Sequence, residues 1–369
     1  MHYYIISGEL SGDLYGSKLM QCFKKYNPNS QFTCWGGRNM ESVGCDLAVD
    51  LSSLSFMGFW EVFKNIFSIL NHLSFAKSHI KKTNPDALIL IDYPAFNLKV
   101  AKYAKKIGIP VYWFIAPQLW AWKESRISRM RQYIDKLFVA LPFELDYFNT
   151  RGVNTFYFGH PLVDIISTQN KTTPHKRLGK PLIALLPGSR KQEISMMLPI
   201  MLQASLEFSK YRFVIICVDH ISRSFYEELI VNFNVELRFN KDILNSVSAA
   251  LVTSGTATLE LAIYKIPQVV CYKLDFISFL LAKFFSRVKY ISLVNILSDK
   301  LVVRELIQNN YNVQSVIAEL NFILDDLNHI KIISEYEALI SKLGASDCFS
   351  KISNIIYSDL LGIKKHANK

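Results

Sequence analysis

The chain lacks several features that would point to a specific chemistry. It has no uninterrupted apolar run of about 18 residues, so no segment reads as a membrane span. Its six cysteines (Cys22, Cys34, Cys45, Cys217, Cys271 and Cys348) include no CxxC pair and no metal-ligand spacing. A zinc ribbon and a dithiol redox site are thereby excluded, and free thiols in apolar runs suit a reducing cytoplasm. The apolar run Met1 to Ile6 is too short for a signal peptide and follows no basic leader, so no secretory signal is expected. There is no low-complexity tract. Acidic residues are in the minority, with 31 Asp plus Glu against 42 Lys plus Arg, a formal charge of +11. Such an excess calls for an acidic partner: anionic lipid, nucleic acid or a phosphorylated substrate.

What the chain does have is hydrophobic sequence, half of all residues, arranged in short runs. In the N-terminal half, strands are expected at His2 to Ile6, Ala87 to Ile91, Val111 to Ile115, Lys136 to Ala140 and Thr155 to Phe158. In the C-terminal half they are expected at Leu182 to Leu186, Phe213 to Val218, Val235 to Phe239, Ala249 to Thr253 and Gln268 to Tyr272. Helical patterns separate them. Near-continuous apolar strands such as Ala87 to Ile91 belong in parallel sheets covered on both faces. The polar stretch Ser167 to Lys180, with Pro174 inside it, reads as a linker. The expected architecture is α/β: two doubly wound, Rossmann-like domains, 1–165 and 181–344, facing an interdomain cleft. The last 25 or so residues read as a helix, 345–369, that could return to the first domain.

Two segments carry the most chemical information. Leu251 to Ala262 reads LVTSGTATLELA, and Leu185 to Gln192 reads LLPGSRKQ. Each is a strand that breaks at small residues and resumes as a helix. Helix N-termini favour phosphate through unpaired N–H groups and a partial positive charge. Ser254, Gly255 and Thr256 are small enough for an anion to reach the backbone. Arg190 can pair with phosphate bidentately, and Glu260 is placed to hold ribose hydroxyls. Two such turns point to a nucleotide diphosphate. Ligands on these sheets sit beyond the carboxyl ends of the strands, where Asp92 also falls.

Phe56 to Ala76 carries an aromatic stripe at helical spacing, including Phe59, Trp60, Phe63 and Phe67, with Lys77 to Lys82 directly after it. An apolar face beside a basic cluster can be a core helix or an interfacial helix gripping an anionic bilayer. Phe276 to Tyr290 is a second aromatic, basic segment.

With these pieces in order, the chain resembles the lipid A disaccharide synthases, inverting glycosyltransferases of the GT-B fold. The matching residues are Ser7-Gly8-Glu9-Leu10-Ser11-Gly12-Asp13, Gly36-Gly37, Met57-Gly58-Phe59, Ile91-Asp92-Tyr93-Pro94 with Phe96-Asn97, Ala116-Pro117-Gln118 with Trp120-Ala121-Trp122, Phe158-Gly159-His160-Pro161, Leu186-Pro187-Gly188-Ser189-Arg190, Thr253 to Glu260, and Asn295 with Glu305 to Gln308. Ala95 departs from the family pattern, which often has an acid there; Val294 and Arg304 stand where proline is usual.

The resemblance implies transfer of a diacylglucosamine from UDP to 2,3-diacylglucosamine 1-phosphate, giving a β-1,6-linked disaccharide phosphate and UDP. It implies Asp92 as general base, with Glu9 and Asp13 as alternatives. It implies a donor site of Ser189, Arg190, Ser254, Gly255, Thr256, Glu260, Asn295 and Gln308, with Arg190 also stabilising the leaving diphosphate. No metal and no cofactor are expected. The enzyme would work as a peripheral protein on the cytoplasmic face of the inner membrane of a Gram-negative bacterium, an anionic surface met by Phe59, Trp60, Phe63 and Phe67. A homodimer is compatible with the sequence without being required by it. Two rivals stand beside this reading. One is a UDP-sugar epimerase or another GT-B glycosyltransferase. The other is a basic nucleic-acid binder built on Arg126 to Arg131, although no nucleic-acid module is visible and no nucleic-acid partner is expected.

Overall fold

Apolar runs bounded by turn residues form the strands, and they do so in two separate sheets. The computed structural model describes residues 1–51, 66–120, 124–169, 180–274, 289–344 and 347–367. They fall into two units, Met1–Asp164 with Leu343–Lys369, and Ile165–Lys342.

In the first unit the strands are β1 His2–Ser7, β2 Gln31–Gly36, β3 Asp46–Asp50, β4 Ala87–Ile91, β5 Val111–Phe114, β6 Lys136–Val139 and β7 Thr155–Tyr157. Their order is β3-β2-β1-β4-β5-β6-β7, and every pairing is parallel. All five residues of β4 are buried, as expected of a strand covered on both faces. The chain builds outward from β1 to β3 and then returns to the other side of β1 as β4. The strand order therefore reverses between β1 and β4, which opens a crevice at their carboxyl ends.

The final helix, Cys348–Ala367, belongs to this first unit. Tyr357 stacks on Tyr26 with centroids 5.7 Å apart. Asp359 accepts from the Tyr112 hydroxyl at 2.6 Å and pairs with Lys136 at 2.8 Å. At the helix start, Asp164 accepts from the backbone N–H groups of Asp347 and Phe349.

In the second unit the strands are β8 Leu182–Leu186, β9 Arg212–Ile216, β10 Val235–Arg238, β11 Val247–Thr253, β12 Gln268–Tyr272 and β13 Glu305–Ile307. Their order is β10-β9-β8-β11-β12-β13, again parallel throughout. Here the reversal lies between β8 and β11.

Three strands, β2, β3 and β13, escape the sequence pattern. β2 carries the polar Gln31 and Thr33 among its apolar residues. β3 is an edge strand that begins and ends in Asp, and β13 is only three residues long. The aromatic segment is described from Ile66, in a helix that runs to Thr83. Phe59, Trp60 and Phe63 lie outside the described residues, as does the side chain of Phe67. In the described part, Leu73, Ala76 and Ile80 pack into the core, while Leu70 and Phe75 are 50% and 41% exposed. Of the stripe residues whose side chains are described, Leu73 is therefore core and Leu70 is not. Most of Phe276 to Tyr290 and of the expected linker also lies outside the described residues. Among the described residues, no helix is long and apolar enough to cross a membrane.

Candidate active site

The crevice of the first unit is lined by the turns after β1 and β4. Gly8 and Glu9 follow β1, and the helix Leu10–Tyr26 starts at once. A side chain at Gly8 would collide with the Tyr93 ring, so glycine is what lets the two turns touch. After β4, Asp92 and Tyr93 both adopt left-handed backbone, with φ of 49° and 51°. Two consecutive non-glycine residues there are strained, by about 1–3 kcal/mol each. The helix Pro94–Lys106 follows, with proline at its first position, as suits a residue without an N–H.

The Asp92 carboxyl is pushed up to about 7. Burial is the main cause; the Glu9 charge adds to it, and the Tyr93 N–H opposes it. A carboxyl poised near neutrality is matched to base catalysis. Glu9 is exposed at the mouth of the same crevice. Asp13 is placed differently. It is buried and accepts four hydrogen bonds, from Gly37 N at 2.7 Å, Asn39 N at 3.0 Å, Asn39 Nδ2 at 2.8 Å and Met40 N at 3.1 Å. Its oxygens cap the helix Arg38–Ser42. His160, 4% exposed, accepts from Leu162 N through Nδ1 at 3.1 Å, and burial pushes its imidazole down to about 3. It is therefore neutral at physiological pH.

Sequence reasoning did not single out Glu144. This residue is buried in the first turn of the helix Pro142–Asn149, which starts at the carboxyl end of β6. Trp120 Nε1 donates to it at 3.0 Å and Leu141 N at 3.2 Å. Its carboxyl is also pushed up to about 7, by burial first and in part by the Asp92 charge. The only sequence signal was a carboxylate five residues past a strand end, at the third position of a helix that opens with proline.

In the second unit, the turns after β8 and β11 flank the reversal point, and these strands pair directly, Leu185 with Leu251. The two glycine-containing turns are therefore neighbours. Gly188 has φ of 124°, and Ser189 and Arg190 beside it are exposed. Glu193, in the first turn of the helix Lys191–Ser205, accepts from Ser189 N at 3.0 Å and pairs with Arg190 at 3.1 Å. Gly255 has φ of 154° and precedes the helix Thr256–Ile263, and among the described residues no heavy atom beyond its chain neighbours lies within 4 Å of where its Cβ would be. That open space lets a ligand oxygen approach the backbone. Ser254 donates its hydroxyl to Ile291 O at 2.8 Å, so its side chain is turned into the protein. Glu260 sits one turn along and pairs with Lys241 at 2.5 Å.

Asn295 and Gln308 face the protein. Asn295 is fully buried; its Nδ2 donates to Val303 O and Glu305, and its Oδ1 accepts from Val302 N and Val303 N. Gln308, at φ of 53°, clasps the backbone of Leu274 through both amide atoms, at 2.7 and 3.1 Å. Both brace the wall next to the Ser254 turn. Glu305 completes the brace by accepting from Ile291 N, Ser292 N and the Ser292 hydroxyl.

A family model described as lipid-A-disaccharide synthetase matches residues 3–352. The lipid-A-disaccharide synthase of Syntrophus aciditrophicus is 36% identical over 345 residues, covering 90% of each chain. Lipid-A-disaccharide synthase 1 of Legionella pneumophila strain Paris is 34% identical over 375 residues, covering 96% of this chain and 97% of that one. Solved structures share the two-sheet fold at low identity. A co-structure of MnaA from S. aureus with UDP superposes with a TM-score of 0.68 at 12% identity, covering 97% of each chain. The calicheamicin glycosyltransferase CalG4 gives 0.61 at 12% identity, covering 98% of each. The fold is that of the GT-B glycosyltransferases and related epimerases. The chain belongs to the lipid-A-disaccharide synthase family, glycosyltransferases of lipid A biosynthesis.

Proposed function

We propose that the chain transfers 2,3-diacylglucosamine from its UDP donor to 2,3-diacylglucosamine 1-phosphate with inversion at the anomeric carbon. The acceptor 6-hydroxyl oxygen attacks that carbon, the bond to the diphosphate breaks, and UDP leaves with the electron pair. The hydroxyl proton passes to Asp92, with Glu9 at the crevice mouth maintaining its basicity. The observation that carries this reading is the Asp92 carboxyl, lifted to about 7 and fixed in left-handed backbone at the strand-order reversal. The first domain, 1–165 with the returning C-terminal helix, would take the acceptor and meet the membrane. The second, 181–344, would take the donor.

On the donor side, Arg190, Ser189 N–H and the Gly255 to Thr256 backbone would receive the diphosphate, whose charge rises as the bond breaks. Glu260 would hold the ribose, exchanging its present partner Lys241 for hydroxyls. Asn295 and Gln308 would act through the wall they brace. Both substrates carry long acyl chains, and exposing each CH₂ to water costs about 0.8 kcal/mol. The enzyme would therefore work docked on the cytoplasmic face of the inner membrane. The test is UDP release by purified protein in mixed micelles. Release only when both lipid substrates are present supports the proposal; release with the donor alone, or none with both, contradicts it.

A further inference from the structure

The helix Ile127–Tyr133 lies beside Pro94–Lys106, its Ile127 and Met130 buried in the shared core. The two helices run the same way. Lys105, near the end of one, pairs at 2.7 Å with Asp135, just past the end of the other. Each helix follows one of the parallel strands β4 and β5, so both start on the carboxyl-edge side of the sheet; the shorter one, 7 residues against 13, starts about 9 Å further from that edge at 1.5 Å per residue. One start follows Asp92; the other is preceded by the short turn Glu124–Arg126.

Two cations stand at that start. Arg126 is half-buried and Arg129 exposed, three residues apart and hence on one helical face. The nearby carboxylate that would neutralise them, Glu124, is taken by Arg151 at 3.0 Å, whose guanidinium stacks 4.0 Å from the Tyr147 ring centre. Among the described residues, neither Arg126 nor Arg129 has a hydrogen-bond or ion-pair partner. Burial, then the charge of Arg129, depress the Arg126 guanidinium below its ordinary range. A half-desolvated cation beside a like charge is unfavourable by itself and becomes favourable when an anion bridges the pair.

We infer that Arg126 and Arg129 form a site for a phosphate monoester on the same carboxyl-edge side of the sheet as Asp92. Resting on the function proposed above, that monoester is the 1-phosphate of the acceptor. Arginine suits the task, because its planar fork matches phosphate oxygens two at a time. The pair would fix the far end of the acceptor glucosamine while its 6-hydroxyl meets Asp92. Phosphate would then contribute to acceptor selection as well as acyl chains.

The experiment compares 2,3-diacylglucosamine 1-phosphate with the same lipid lacking the phosphate, in mixed micelles, using wild type, Arg126→Ala and Arg129→Ala. Wild type should lose about 10- to 100-fold in kcat/KM when the phosphate is absent, the scale of one or two charged hydrogen bonds. Each variant should lose a comparable factor with the phosphorylated acceptor and little with the other. UDP binding by calorimetry and unfolding temperature should not change. A direct arm uses the acyl-free glucosamine 1-phosphate, followed by phosphorus-31 line broadening with the donor site filled by excess UDP. Wild type should broaden the line and the variants should not, even if the proposed transfer fails for other reasons. Equal losses with both acceptors, or broadening that survives in both variants, overturns the inference. So does loss of binding to phosphatidylglycerol vesicles with acceptor discrimination intact, which would assign the arginines to lipid headgroups.

Discussion

Asn97 donates its side-chain amide to the main-chain carbonyl of Asp92 at 2.7 Å. That bond holds the first of two consecutive left-handed residues. Asn97 is fully buried, and among the described residues its Oδ1 has no partner. An orphaned buried acceptor is destabilising by about 1–3 kcal/mol. The residue is therefore poorly explained by stability and well explained by its grip on Asp92. Asn97→Ala removes one bond and one orphan together, so unfolding temperature should move by only a few degrees. Turnover should fall about tenfold as Asp92 loses its fixed orientation. Unchanged turnover with a large fall in stability would assign Asn97 to packing alone.

The pH dependence follows from the same carboxyl. Asp92 accepts a proton only when ionised, so kcat/KM should rise with pH through a limb near 7. The Glu9 charge is the second cause of that elevation, so Glu9→Gln should shift the limb to lower pH. Stability has the opposite sign. The folded carboxyl holds its proton more tightly than the ordinary value of 3.8 would allow. Its stabilising contribution is complete below that value and is lost as pH rises toward 7. Asp92→Asn should lower turnover by about 10²–10⁴-fold and leave the protein at least as stable as wild type at pH 8. Rate profiles and thermal melts at pH 5 and 8 test both signs; near-normal turnover in the folded variant would remove Asp92 from the role.

Features built from contiguous residues were legible in the sequence. Ala87 to Ile91, Leu182 to Leu186 and Gln268 to Tyr272 form strands with the expected bounds, because uninterrupted apolar runs between turn residues have few other ways to fold. The adjacency of the Gly188 and Ser254 turns needed the strand order, which places β8 beside β11 across some 60 residues of chain. Glu144 was missed because its link to the Asp92 crevice runs from β6 across β5 to β4, an adjacency that only the strand order reveals. The engagement of Asn295 and Gln308 with backbone at Val303 and Leu274 was equally hidden, since an amide that binds a sugar and one that braces a wall look alike in sequence. The docking of the last helix rests on Tyr112 and Asp359, which lie 247 residues apart.

On the donor side, calorimetry with free UDP should show weaker binding for Arg190→Ala and for Glu260→Ala. Arg190→Ala should also lower kcat, because the charge it meets grows in the transition state. Lys241→Met should act differently from Glu260→Ala. It frees the Glu260 carboxylate from its 2.5 Å ion pair, so UDP affinity should hold or improve. Unchanged UDP affinity in both Arg190→Ala and Glu260→Ala would place the nucleotide elsewhere.

Activity should survive excess chelator. The proposed diphosphate site consists of an arginine, a half-open glycine turn and helix N-terminal amides, which supply the compensating charge themselves. A strict, reversible requirement for Mg²⁺ or Mn²⁺ would contradict this arrangement.

Membrane docking should depend on the aromatic stripe ahead of the helix Ile66–Thr83. Where that helix is described, Leu73, Ala76 and Ile80 anchor it to the core, whereas Leu70 is half exposed. Its C-terminal turn carries Lys81 and Lys82, both exposed, and Lys77 lies 5.9 Å from the Tyr103 ring centre. A buried end and a basic flank would leave Phe59, Trp60 and Phe63 free to enter a lipid surface while the protein stays folded. Replacing Trp60 and Phe63 with serine should weaken binding to anionic vesicles and leave the unfolding temperature nearly unchanged, because exposed side chains contribute little to the core. Salt should weaken wild-type binding, since surface attraction is screened to roughly 3 Å at 1 M. A large loss of stability with vesicle binding intact would show the stripe to be core, and the second aromatic, basic segment, Phe276 to Tyr290, would then be the route to test for the acyl chains.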